Sequence, residues 1–99
     1  MSMQFTVTAH DHKEGGLERR LASRKEHIAI GDKMKAAGNY LMGVALLDEN
    51  EQMIGSVMIL DFPSRKELDD WLKVEPYMVR HVWEKVEILP CRVGPTFLK

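Results

Sequence analysis

Residues 4–10 alternate in character: Phe5, Val7 and Ala9 fall on one side and Thr6, Thr8 and His10 on the other, the two-residue period of a half-buried strand. From Leu17 the period lengthens. Leu17, Leu21 and Ile28, then Ile30, Met34 and Ala37, recur at helical offsets, and Gly38 closes the stretch as a residue that readily takes the left-handed backbone of a helix end. One helical region is expected there, straight or bent. Tyr40–Leu47 and residues 54–62 are rich in large apolar side chains and flank the polar run Asp48-Glu49-Asn50-Glu51-Gln52, which predicts a hairpin. Ser64 stands three residues before Glu67, the spacing at which each side chain satisfies an orphan backbone N–H at a helix start. A second helix is expected from there, with Leu68, Trp71 and Leu72 as its buried stripe. Pro76 lacks an N–H and disfavours helical geometry at Glu75, so the chain should turn or restart. Residues 83–89 read as the last strand and 92–99 as a short tail.

The order β-α-β-β-α-β predicts an α+β, ferredoxin-like domain, an antiparallel sheet with both helices on one face. The other face then has no cover. In residues 54–62, Val57 and Ile59 alternate with Met58 and Leu60, so both faces are apolar and a homodimer packed sheet to sheet, a dimeric α/β barrel, would bury the second one. At 99 residues and 44% hydrophobic, the chain is one domain, 1–99, small enough that self-association is a natural use of leftover apolar surface.

Charge narrows the partners. Fourteen Lys and Arg nearly balance fifteen Asp and Glu, so no positive field gathers nucleic acid or an anionic membrane surface. No apolar run approaches the ~20 residues that span a bilayer. The start, Met1-Ser2-Met3-Gln4-Phe5, lacks the basic and apolar regions of a signal peptide, and the single Cys91 cannot form an internal disulfide, so a cytoplasmic location is expected.

Candidate chemistry gathers on the first helix. His27, with Ile30, Gly31 and Met34 at offsets of three, four and seven, looks toward the sheet, and Arg20 and Arg24 precede it on the same stripe. A guanidinium forks onto a carboxylate and an imidazole exchanges protons near neutral pH, so the strip suits a small anionic metabolite. An inward histidine also serves as a core residue with one nitrogen satisfied, and the arginines could pair with Glu18, Glu26 or Asp32. Glu75 lies four and three residues beyond Trp71 and Leu72, on the continuation of their buried stripe. It is a poor N-cap type, so capping alone explains its place before Pro76 badly. Ser56 and Tyr77 could hydrogen-bond a substrate oxygen. In His10-Asp11-His12 the two histidines share one strand face and Asp11 takes the other. Two nitrogens do not make a metal site, and no third ligand is demanded by the spacing; none is predicted. Asp11 has the parity of Phe5, Val7 and Ala9 and points to the helix side, either toward His27 or as a turn residue before Gly15-Gly16. Cys91 has no histidine near it in sequence, and the seven methionines need only a core to explain them.

Leu17-Glu18-Arg19-Arg20-Leu21 followed by Arg24-Lys25-Glu26-His27-Ile28 resembles the L-E-x-R-L and R-x-x-H-L pattern of the YciI-like family of dimeric α/β barrels. Ala9, Asp11, Gly55-Ser56, Trp71 and Glu75-Pro76-Tyr77 sit where similar residues occur in that family, so the resemblance runs along nearly the whole chain. It differs in carrying Glu75 where the family usually has Asp, and in the short passage from Met42-Gly43-Val44 to the turn. The resemblance implies a histidine-carboxylate pair in a cleft; relatives include a chloromuconolactone dehalogenase, and the wider group muconolactone isomerase-like enzymes.

Together these readings give a leading expectation. It is a cofactor-independent enzyme of isomerase, lyase or dehalogenase type acting on a lactone or cyclic organic acid. His27 would be the acid/base, oriented by Glu75 or Asp11, while Arg24 and Arg20 bind a carboxylate and Ser56 or Tyr77 a further oxygen. The alternative is a non-catalytic dimeric protein whose pocket only binds a metabolite.

Overall fold

In the computed structural model, which describes residues 2–98, four strands form one antiparallel sheet: β1 (Met3–Asp11), β2 (Tyr40–Leu47), β3 (Met53–Phe62) and β4 (Trp83–Cys91). Met1 and Lys99, the ends of the two terminal segments considered above, lie outside the described residues. The order across the sheet is β2-β3-β1-β4, and every neighbouring pair is antiparallel. Three helices connect the strands: α1 (Gly16–Ala36), α2 (Arg65–Leu72) and the single turn α3 (Pro76–Val79). This is the ferredoxin-like α+β arrangement expected from the element order.

Local chemistry accounts for the element ends. Gly38, at φ 85°, terminates α1: its N–H bonds the Lys35 carbonyl at 3.1 Å and the Asn39 N–H bonds the Met34 carbonyl at 2.8 Å. That bond pattern is a Schellman motif, and the left-handed φ it needs is one glycine adopts without a Cβ penalty. Ser64 caps α2 by accepting from the Glu67 N–H. The Asp48 carboxylate accepts from the backbone of Asn50 and Gln52 and closes the β2–β3 turn.

Phe5, Val7 and Ala9 of β1 and Met58, Leu60 and Phe62 of β3 fill the helix side of the sheet, against Leu68 and Trp71 of α2 and with Tyr77, Val82 and Trp83. On the opposite face Val57 and Ile59 are half-buried, while Met42, Val44 and Leu89 are exposed. No helix among the described residues is long and apolar enough to cross a membrane.

The inward face of α1 departs from expectation. Leu21, 56% exposed, and Ile28, 45% exposed, face away from the core, although their spacing suggested a buried stripe. The buried residues of α1 are instead Gly16, Arg20 and Ser23, with His27 and Met34 half-buried along the same line. Apolar residues are scattered around this helix, so hydrophobic periodicity points to no single face. What docks it is a line of polar side chains: Arg20 with partners on β1 and β3, and Ser23 and His27 with partners, Arg80 and Glu75, at the two ends of α3.

Candidate active site

The line begins with Arg20, which is 3% exposed. Its Nε donates to Asp11 Oδ2 at 2.7 Å, and its Nη2 donates both to Asp11 Oδ1 at 2.9 Å and to Ser56 Oγ at 2.8 Å. Asp11 ends β1 where its pairing with β4 shifts register, and Ser56 lies on β3 opposite Ala9. One guanidinium thus ties α1 to two adjacent strands, with a fork matched to the carboxylate. Asp11 does point to the helix side, but its partner there is Arg20, not His27.

Two turns along α1, the His27 Nδ1 meets Glu75 Oε1. Glu75, 1% exposed, stands after the end of α2 and not within it, since α2 closes at Leu72. Contrary to the expectation from residue type, Glu75 is the N-cap of α3: Oε1 also accepts from the Tyr77 N–H at 3.3 Å, and Pro76 takes the first helical position. Its extended backbone, φ −64° and ψ 124°, is the conformation favoured before proline and lets the longer side chain fold back onto its own helix start. One carboxylate therefore both caps a helix and holds a histidine.

Tyr77 completes the cluster. Its ring stacks on His27 with centroids 3.9 Å apart and planes within 10°, and the Arg20 guanidinium carbon lies 4.7 Å from the same ring centre. Residues 20 and 27 are separated by about 10 Å of helix rise, so the Tyr77 ring bridges two turns of α1. Trp83 meets both the His27 and Tyr77 rings edge-on. Burial raises the Tyr77 phenol above its ordinary value against the opposing pull of Arg20 and Arg24. Tyr77 stays protonated at neutral pH.

With Nδ1 engaged by Glu75, Nε2 is the nitrogen left to a ligand, and it has no hydrogen-bond partner among the described residues. His27 is 15% exposed and lines two adjoining cavities. One, about 140 Å³, is bounded by Arg20, Arg24, Met53 and Ser56; the other, about 390 Å³, runs past Gly31, Asp32 and Lys35. The larger volume is that of a small-molecule site. Arg24 is exposed at the edge of the smaller cavity, and its one side-chain hydrogen bond among the described residues is to the Met53 sulfur, at 3.3 Å. It carries a cation with no carboxylate partner among the described residues, whereas two of the nitrogens of Arg20 are taken up by Asp11 and Ser56.

All seven residues singled out in the sequence as a site thus meet in one cluster, and the two histidines of His10-Asp11-His12 stand apart. His12 Nδ1 is 3.3 Å from Glu84 Oε2, and His10 is exposed. Among the described residues no three of His, Cys, Asp and Glu gather as a metal-holding group. One residue of the cleft escaped the sequence reading. Tyr40, at the start of β2, borders both cavities beside His27. The signal for it was indirect: glycines at 31 and 43, inside a helix and a strand, mark places where something large approaches the backbone.

Comparison with known proteins bears on the family and the fold. Residues 3–92 match the model of the YCII-related domain. The chain belongs to the YCII-related family. The YciI protein of Escherichia coli is 29% identical over 94 residues, spanning 89% of this chain and 95% of the relative. An uncharacterised protein of Haemophilus influenzae is 30% identical over the same shares of both chains. Among solved structures, this family member superposes on a 5-chloro-2-hydroxyhydroquinone dehydrochlorinase of Burkholderia phenoliruptrix, crystallised with 2,5-dihydroxybenzoquinone. The TM-score is 0.82 over 95% of this chain and 98% of that one, at 19% identity. A dimeric ferredoxin-like protein from an uncultured marine organism matches at a TM-score of 0.53 and 17% identity, over 93% and 94% of the two chains. At such identities the likeness is one of fold.

Proposed function

We propose that this chain is an acid/base enzyme acting on a small, anionic, cyclic organic molecule, a lactone or an oxygenated ring acid. The observation that carries this is the pairing of His27 with a buried carboxylate through Nδ1, with Nε2 unpartnered beside a cavity. In the reaction, Nε2 takes a proton from carbon next to a carbonyl. The C–H electron pair moves into the ring and the carbonyl oxygen gains negative charge. Glu75, accepting from Nδ1–H, stabilises the imidazolium that results and fixes the ring's orientation. Return of the proton to another carbon gives isomerisation. Departure of a leaving group with the electron pair gives elimination, the class named for the dehydrochlorinase of the same fold. Arg24 binds the ligand's carboxylate or equivalent anion, and the Ser56 hydroxyl, already accepting from Arg20, has its own proton to give to a further oxygen.

We also propose that the working form is a homodimer closed through the open sheet face, where Met42, Val44 and Leu89 lie exposed. The solved neighbours described as dimeric ferredoxin-like proteins favour it. Sedimentation equilibrium should return twice the chain mass; a stable monomer would overturn the assembly.

A panel of lactones and hydroxylated or chlorinated ring acids, followed by absorbance and chloride release, tests the chemistry. Turnover should fall at least about 100-fold in both His27→Ala and Glu75→Gln, the usual worth of a positioned general base. The glutamine keeps an acceptor for the Tyr77 N–H, so its loss of rate is not a loss of the cap. Unchanged turnover in His27→Ala would exclude the mechanism, and tight binding without turnover would place the chain among non-catalytic metabolite binders.

A further inference from the structure

Tyr40 sits in a slot that two glycines leave open. A Cβ on Gly31 of α1 would lie 3.1 Å from Tyr40 Cε2, and one on Gly43 of β2 would fall on the Tyr40 hydroxyl and within 2.7 Å of its Cζ. Neither glycine has a positive φ, so the backbone does not require them; the tyrosine ring does. Residues 40 and 43 of a regular strand would face opposite ways. Here the pairing of β2 with β3 shifts between Tyr40 and Met42, so Tyr40 pairs with Leu60 and Gly43 with Met58, and both come to the helix side.

The slot fixes the phenol at the junction of the two cavities, next to His27. Its hydroxyl has no hydrogen-bond partner among the described residues. Burial, reinforced by the negative charge of Glu75, raises its pKa, so it stays protonated and remains a donor. A half-buried donor lining the same cavities as His27, whose Nε2 is also unpartnered, lacks only an acceptor.

We infer that Tyr40 is the ligand-facing hydrogen-bond donor of the cleft, giving its phenolic proton to a ring oxygen of the molecule on which His27 acts. The ligand class is then a planar ring with an oxygen set opposite the reacting carbon, so that one oxygen meets Tyr40 and another the Arg24 cation. This rests on the reading of the cleft proposed above.

The probe is 2,5-dihydroxybenzoquinone, a coloured ring acid of that class, titrated by visible absorbance into the wild-type chain and three variants. Tyr40→Phe removes one oxygen and should weaken binding about tenfold or more, the worth of a hydrogen bond to a charged group. Gly43→Ala should weaken it as much while keeping the hydroxyl, because the methyl displaces the phenol. Thermal melts confirm that each variant is folded; should Gly43→Ala melt, Tyr40→Phe still decides. If Tyr40→Phe binds like wild type while His27→Ala is weakened, the inference fails and the cleft reading survives. If His27→Ala also binds like wild type, or wild type does not bind at millimolar probe, both fail.

Discussion

Replacing Arg20 with methionine asks whether α1 is docked by charge. The methionine keeps much of the alkyl volume and removes the guanidinium. The Asp11 carboxylate, 4% exposed, would lose partners at 2.7 and 2.9 Å, and the Ser56 hydroxyl a donor at 2.8 Å. Removing one member of a buried ion pair typically destabilises by about 3–5 kcal/mol, because the other charge stays buried and unpaired. Loss of the cation from the Tyr77 ring adds roughly 1 kcal/mol. Against a total stability of about 5–15 kcal/mol for a domain this size, that is a large fraction. At about 4–8 °C per kcal/mol, Tm should fall by some tens of degrees, roughly 16 °C at the least. Guanidinium denaturation followed by circular dichroism measures the change directly. Arg20→Met combined with Asp11→Leu should recover most of the loss, since apolar replacement of both partners is often neutral or better. A single variant that loses less than about 1 kcal/mol, the level of an exposed pair, would refute the reasoning. So would a double variant no more stable than the single one.

Stability should fall as pH rises above about 10, the ordinary tyrosine value, because Tyr40 and Tyr77 hold their protons more tightly folded than unfolded. Their contribution is complete below that value and is lost as pH climbs through the raised folded one. Denaturation across the alkaline range should show a shallower slope in Tyr40→Phe, and an identical slope would contradict the burial assigned to it. Gly55→Ala should destabilise by about 1–3 kcal/mol in urea, because its Cβ would overlap the Ala9 carbonyl of the neighbouring strand, which is backbone and cannot swing aside. The Cys91 thiol, pushed up by burial, should be alkylated by iodoacetamide at pH 8 more slowly than a free thiol, and an equal rate would count against its environment.

Much of this was readable along the chain because the deciding interactions are local. Ser64, Gly38 and Asp48 cap and turn through residues two to four positions away, and Phe5, Val7 and Ala9 state the buried face of β1 by parity alone. His27 and Glu75 were legible through family pattern and position. The inward face of α1 was not, because periodicity follows apolar side chains and here Arg20, Ser23 and His27 face the sheet while Leu21 and Ile28 do not. Nor was the capping by Glu75, which depends on a longer side chain folding back in a conformation imposed by Pro76. Tyr40 was hidden for a third reason: one register shift in β2 reverses every parity beyond it, so strict alternation from Tyr40 would put Gly43 on the opposite face.

The polar seam under α1 also sets how finely the helix is placed. Apolar surfaces attract without direction, and a helix resting on them can slide by a fraction of a residue for little cost. A forked guanidinium on a carboxylate has a narrow range of lengths and angles, and Arg20 makes that contact two turns before His27. Arg20 is thus a locating pin for the helix, and the imidazole inherits its position along the sheet from a bond two turns away. Changes to the apolar core should therefore be tolerated by the site better than any change, however conservative in charge, at the pin.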